Sequence, residues 1–174
     1  VLREEKKFLI SVADFISLSH KVEQVMLSDP HNGTHGYMIR SLYFDTPFDD
    51  DFMEKQAGVE HRRKVRLRCY DPNSDFAMLE LKQKQGVQQM KRSLKVYRED
   101  TKRLIAGDYA VLLSYPEPFA AEMYALMQTR CYRPKTIVEY NRKAFIAKEN
   151  KIRITFDNKI VSTESSFELF DSHL

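Results

Sequence analysis

Two cysteines in 174 residues, Cys69 and Cys131, form neither a CxxC nor a metal-like spacing and are too few for a disulfide framework. Both read as half-buried strand residues, and this sparse thiol usage points to a reducing compartment, the cytoplasm. No apolar run reaches the ~18 residues of a membrane span. The five histidines, at positions 20, 31, 35, 61 and 173, show no HxxxH or HxH pattern, which argues against zinc. His61 abuts a basic stretch on the opposite parity from Arg62 and reads as a loop residue. A GxxxxGKS/T phosphate loop, a GxGxxG dinucleotide fingerprint and a GxSxG nucleophile turn are all missing. Repeats, low-complexity tracts and Gly/Ser linkers are missing too, so residues 1–174 read as a single domain. Even charge is modest in sum, a formal +3 in a chain that is 43% hydrophobic and 30% charged. Any electrostatic function must therefore come from how the charge is arranged.

The arrangement is distinctive. Lys64-Val65-Arg66-Leu67-Arg68-Cys69-Tyr70 alternates charge and apolar character with period two. A strand puts Lys64, Arg66 and Arg68 on one face and Val65, Leu67 and Cys69 on the other, and Arg62 extends the basic row. The same parity recurs along the chain: Arg3, Glu5 and Lys7; Glu80, Lys82 and Lys84; Lys91, Ser93 and Lys95; Tyr140 and Arg142; Arg153, Thr155 and Asp157. One such face is an ordinary solvated surface. A set of them dominated by Lys and Arg is self-repelling, because like charges directly opposite on neighbouring strands destabilise a sheet. A sheet of this many strands tends to curl or close. If helices cover its apolar side, the charged faces line a cationic channel that an anion must fill. Arginine forks bind phosphate oxygens two at a time, and lysines add point charge. A glutamate among them can hold a divalent metal or position a lysine; Glu80 reads as the latter.

The remaining pattern sets the architecture. A first short strand ends at Phe8-Leu9-Ile10. Ser11 with Asp14 opens a helix carrying Phe15, Leu18, Val22, Val25 and Met26, up to about Leu27. Strands are predicted over 37–44, 62–70, 76–84 and 87–96, the last three joined by short turns as an antiparallel meander. A helical region follows, with Pro116, Glu117 and Pro118 at a start and an apolar stripe of Phe119, Met123, Leu126 and Met127. Strands over 135–145, 151–156 and 160–163 complete an α+β chain with a large antiparallel sheet.

These strands resemble the triphosphate tunnel (CYTH-like) superfamily, and most closely its VTC polyphosphate polymerase domain. The matching residues are Arg3-x-Glu5-x-Lys7-Phe8, the run from Ile39 to Thr46, Lys55-x-x-Gly58, Lys64-x-Arg66-x-Arg68-x-Tyr70, Leu79-Glu80-x-Lys82, Lys91-Arg92, Tyr140-x-Arg142 and Arg153-x-Thr155-x-Asp157. Their order holds from residue 3 to about 157. The resemblance implies an antiparallel β-barrel tunnel of about eight strands with a few helices outside. Such a tunnel binds ATP, another triphosphate or inorganic polyphosphate with Mn2+ or Mg2+. In the polymerase branch it moves the ATP γ-phosphoryl onto a growing chain. Carried over, Lys7, Arg66, Arg68, Lys82, Lys91, Arg142 and Arg153 clamp phosphates, joined on parity by Lys64 and Lys84. Arg3, Glu80 and Tyr140 support them, and Glu5 is the candidate metal ligand. Arg3 stands where the hydrolase branch has a glutamate, which favours the polymerase branch. Hydrolysis of tripolyphosphate or nucleoside triphosphate, and binding without turnover, are the alternatives. The family's late Glu-x-Lys strand has no counterpart after Asp157, so the domain is expected to be incomplete at its C-terminus. Nucleic-acid binding fits less well, because aromatic residues are not interleaved on the basic faces as stacking platforms.

Overall fold

Alternation becomes a strand only where a neighbour completes its hydrogen bonds, and most of the alternating runs find one. A computed structural model describes residues 5–86, 88–149 and 152–172. In chain order it contains α1 (Val12–Val25), β1 (Leu27–Ser28), β2 (Tyr37–Asp45), α2 (Asp50–Gln56), β3 (His61–Cys69), β4 (Phe76–Gln85) and β5 (Gln88–Tyr97). Then come α3 (Arg98–Ile105), a 3-10 helix (Tyr109–Ser114), α4 (Pro118–Thr129), β6 (Arg133–Ile146) and β7 (Arg153–Thr163). The strands form one seven-stranded sheet in the order β1-β6-β2-β3-β4-β5, with β7 also pairing β6. The β1–β6, β2–β3, β3–β4 and β4–β5 pairs are antiparallel. The chain divides into two compact units, one built on Arg40–Val138 and Ser162–Leu174, the other on Glu5–Ile39 and Glu139–Val161. β2, β6 and β7 contribute residues to both.

The first unit is built on the β3–β4–β5 meander. Val65, Leu67, Leu79, Leu81, Leu94 and Val96 are buried on one side of it, in one core with Leu104, Leu112, Met123 and Met127 from the helical region. α4 starts at Pro118, where a missing amide proton costs nothing. Its stripe buries Met123 and Met127, with Phe119 and Leu126 partly buried against the core. Arg40 is buried in this unit and donates to the Leu169 carbonyl (3.1 Å) and the Asp171 carbonyl (2.5 Å), fastening the C-terminal segment. Buried Asp45 ends β2 and accepts from the amides of Thr46, Asp51 and Phe52, so it starts α2 from the strand terminus.

Asp51, in the first turn of α2, is itself 4% exposed. Its Oδ2 accepts from Tyr132 Oη at 2.7 Å, and Arg63 Nε lies 3.7 Å from its Oδ1. Burial pushes the Asp51 carboxyl up to about 6, against the pull of the Tyr132 hydrogen bond and the Arg63 charge. Between about pH 4 and 6 the folded chain thus keeps a proton that the unfolded chain has released, and stability falls as pH rises through that window. Asp51→Asn should flatten that slope, by on the order of 3 kcal/mol over the window. Denaturant melts between pH 4 and 7 test this, and an unchanged slope in the variant would place the proton elsewhere.

In the second unit Ser11 caps α1: its Oγ accepts from the Asp14 amide at 3.0 Å and donates to the Asp14 carboxylate at 2.7 Å. Phe15 and Phe145 meet Phe156 edge-on at 5.6 and 6.1 Å. Gly36, at φ +93, passes so close to the Arg142 carbonyl that a Cβ would collide with it.

Several sequence expectations are corrected. Residues 5–10 form no strand, and Phe8 and Leu9 are 81% and 103% exposed. Alternation there specifies faces but supplies no partner strand, and α1 begins at once. The two short strands expected over 151–156 and 160–163 are one strand, β7, with Lys159 at φ +51 inside it. Cys69 is buried in β3, but Cys131 is exposed at φ +52 in the turn before β6. His61 is the first residue of β3 and not part of a loop. Among the described residues no helix is long and apolar enough to cross a membrane.

Candidate functional site

The side of the meander opposite its core is built by register. Arg62 opposes Lys84, Lys64 opposes Lys82, Arg66 opposes Glu80, and Arg68 opposes Met78. On the next strand Lys82 opposes Lys91, Glu80 opposes Ser93, and Met78 opposes Lys95. From the other flank β2 sets Tyr43 against Arg66 and Ser41 against Arg68. The result is a ladder of cationic rows. Lys64, Lys82 and Lys91 stand side by side across three strands, and Glu80 is the one carboxylate that β3, β4 and β5 place on this face.

Glu80 is 1% exposed and is shared by three cations. Arg66 Nε and Nη2 lie 2.7 and 2.6 Å from its Oε2, Lys91 Nζ lies 2.6 Å from Oε1, and Arg68 Nη1 lies 3.8 Å from Oε2. Burial would raise the carboxyl's pKa; the charges of Arg66 and Arg68, with the Lys91 ammonium, overcome this and hold it at about 2. Glu80 is therefore a fixed anion near neutrality and cannot act as a general acid. Burial likewise works against the Arg66 guanidinium, and Tyr43 and Glu80 more than compensate, raising its pKa. Tyr43 Oη accepts from Arg66 Nη1 at 3.0 Å.

Arg66 and Arg68 are only 6% and 8% exposed. Arg68 Nε and, across from it, Ser41 Oγ are buried without a hydrogen-bond partner among the described residues. A buried donor left unmatched costs roughly 1–3 kcal/mol. One on the Arg68 guanidinium and one on the facing strand mark a place where an acceptor oxygen would be held.

The structure thus brings Lys64, Arg66, Arg68, Glu80, Lys82, Lys84 and Lys91 to one face of the first unit. Tyr140, Arg142 and Arg153 belong to the second unit. There Arg142 grips Asp157 with two bonds of 2.7 Å and lies 5.2 Å from the Tyr140 ring centre. Burial opposes its charge, but Asp157 raises its pKa overall. Arg153 Nη2 donates to Asp29 Oδ2 at 2.8 Å and to Tyr37 Oη at 2.9 Å. Glu5 and Lys7 lie in the exposed stretch before α1, 3.7 Å apart. Arg3 lies outside the described residues.

Sequence reasoning passed over Tyr43 and Ser41, although extending the alternation of the neighbouring strand would have found them. It also missed that aromatic residues do occupy one end of the basic face. There Lys95 Nζ stands 4.3 Å from the Phe76 ring centre and 5.6 Å from that of Tyr97, and Arg68 approaches Tyr70.

Residues 2–173 match the family model of the VTC domain. The chain belongs to the VTC domain family. A putative adenylate cyclase from Bacillus halodurans is similar in structure, with a TM-score of 0.53 at 15% identity over 94% of this chain and 80% of that one. At that identity the likeness bears on fold alone. No curated protein matches the chain significantly. Family and neighbour together place this VTC domain in the antiparallel triphosphate tunnel fold, with seven strands where about eight were expected.

The described residues of the VTC domain offer a metal little. Among the described residues no three His, Cys, Asp or Glu side chains converge. Glu80 is saturated by cations, and Glu5 lies beside Lys7. The described residues form no all-protein cage for Mn2+ or Mg2+.

Proposed function

We propose that this VTC domain binds a triphosphate or polyphosphate chain along the β3–β4–β5 face and transfers the γ-phosphoryl of ATP to a polyphosphate end. The observation that carries the reading is the uninterrupted Lys64–Lys82–Lys91 row beside two buried arginines that share one carboxylate. Phosphate oxygens would screen the like charges of such a row, and phosphoryl transfer asks mainly for positioning and charge stabilisation. An already ionised terminal phosphate needs no general base, which agrees with a face whose only carboxylate stays ionised. Arg66 and Arg68 would grip the phosphates, Lys64, Lys82, Lys84 and Lys91 would neutralise them, and Glu80 would position Arg66 and Lys91.

The test is incubation of the protein with ATP and Mn2+, following polymer length on gels and phosphate release in the same samples. Growing polyphosphate is the expected result. Phosphate release without chain growth would select a hydrolase, and calorimetric binding without product a binding module. Absence of both binding and turnover would overturn the reading.

A further inference from the structure

We propose that the end of the basic face formed by Phe76, Lys95 and Tyr97 is a nucleobase subsite, so that a nucleoside triphosphate lies along the strands in one direction. This rests on the phosphate-binding reading above and adds a direction to it.

The ladder is not symmetric end to end. Phe76 and Tyr97 oppose each other at the last pair of the β4–β5 register, next to the Met78–Lys95 pair two residues on. Tyr97 is 59% exposed, and its ring stacks on Tyr115 with centroids 6.5 Å apart. Lys95 is held over the two rings, with no carboxylate within ion-pair distance among the described residues. At the other end a cleft of about 410 Å³ lies chiefly on the opposite side of the strands, since of its lining only Arg62 and Lys84 share the ladder's parity. The ladder's own positions at that end, Arg62, Lys84 and Gln89, are basic or polar and carry no aromatic side chain. The Arg66–Glu80–Ser93 row lies four residues from the Phe76–Tyr97 pair, ~13 Å along the strands, the scale of an extended nucleotide. A base stacked on Tyr97 would leave Lys95 and Arg68 to the phosphate nearest the ribose and Arg66 to the γ-phosphate, with the lysine row beyond it for an acceptor polyphosphate. Stacking favours any base with a π face, so little discrimination among purines is expected.

Calorimetric titration of the full chain with ATP and with inorganic tripolyphosphate separates the two readings. Tyr97→Ala should weaken ATP binding about fivefold or more, and tripolyphosphate binding by less than about twofold, since the substitution removes a ring and no charge. Tyr97→Phe should restore ATP binding. Tyr97 is exposed and its backbone amide bonds Tyr115 whatever its side chain, so the variant should fold. Equal losses for both ligands, or unchanged ATP affinity, would overturn the subsite and leave the phosphate face standing. A wild-type chain that binds neither ligand would overturn both.

Discussion

Replacing Glu80 with alanine should destabilise the protein by about 3–5 kcal/mol, the cost of leaving buried charge without its partner. Arg66 and Arg68 would stand side by side at 6% and 8% exposure, keeping their bonds to the hydroxyls of Tyr43 and Tyr70 but no carboxylate. Lys91, whose side chain is 46% exposed, can turn to water, so Lys91→Ala should cost far less. The stability that Glu80 contributes has a pH signature as well. Its carboxyl titrates at about 2 in the folded chain, below its ordinary value of 4.5. The contribution is complete above pH 4.5 and is lost as pH falls through 2. Urea melts of wild type and Glu80→Ala would show the difference. Tripolyphosphate should raise the melting temperature of the variant more than that of wild type, because the ligand replaces the missing counter-charge. An equal shift in both would mean that the arginines do not meet the ligand.

The second large effect is catalytic. Arg66→Ala combined with Arg68→Ala should lower ATP-dependent polyphosphate formation by about 100-fold or more, the scale of removing a pre-organised donor from developing charge. The variant loses both buried forks but also relieves their mutual repulsion, and Glu80 keeps Lys91. Circular dichroism and a melting curve establish that it folds. Lysine at both positions keeps the charge without the two-pronged geometry, and should recover binding better than turnover. A normal polymer yield from the double alanine variant would sink the polymerase reading.

The sequence made the meander legible because each strand carries its own evidence: period-two alternation, short turns, and apolar residues on one parity. The Ser11 cap and Pro118 marked their helix starts as plainly. α2 was not foreseen, because it is only seven residues long and its amides are met by Asp45, at the end of the preceding strand. Alternation gave the faces but not the partners. It predicted a strand before Ser11, where the described residues 5–10 form none. It could not say which cations share Glu80, since that depends on register between strands and on side-chain reach. The aromatic end was hidden for the same reason. Phe76 and Tyr97 stand far apart in sequence and meet only through the β4–β5 pairing.

That pairing bears on how such a chain can change its length. The segment 70–75 between β3 and β4 is turn-rich and exposed in part, and by composition would tolerate insertions. Yet the side chains of a strand change sides with every residue. One residue more in that loop, taken up by a shift in pairing, would carry Leu79 and Leu81 onto the ladder and drive Glu80 and Lys82 into the core. Two residues would preserve sidedness and move every row by one rung. An insertion here is thus harmless only where the loop itself absorbs it, and where it shifts the pairing only an even number of residues keeps the ladder on its side.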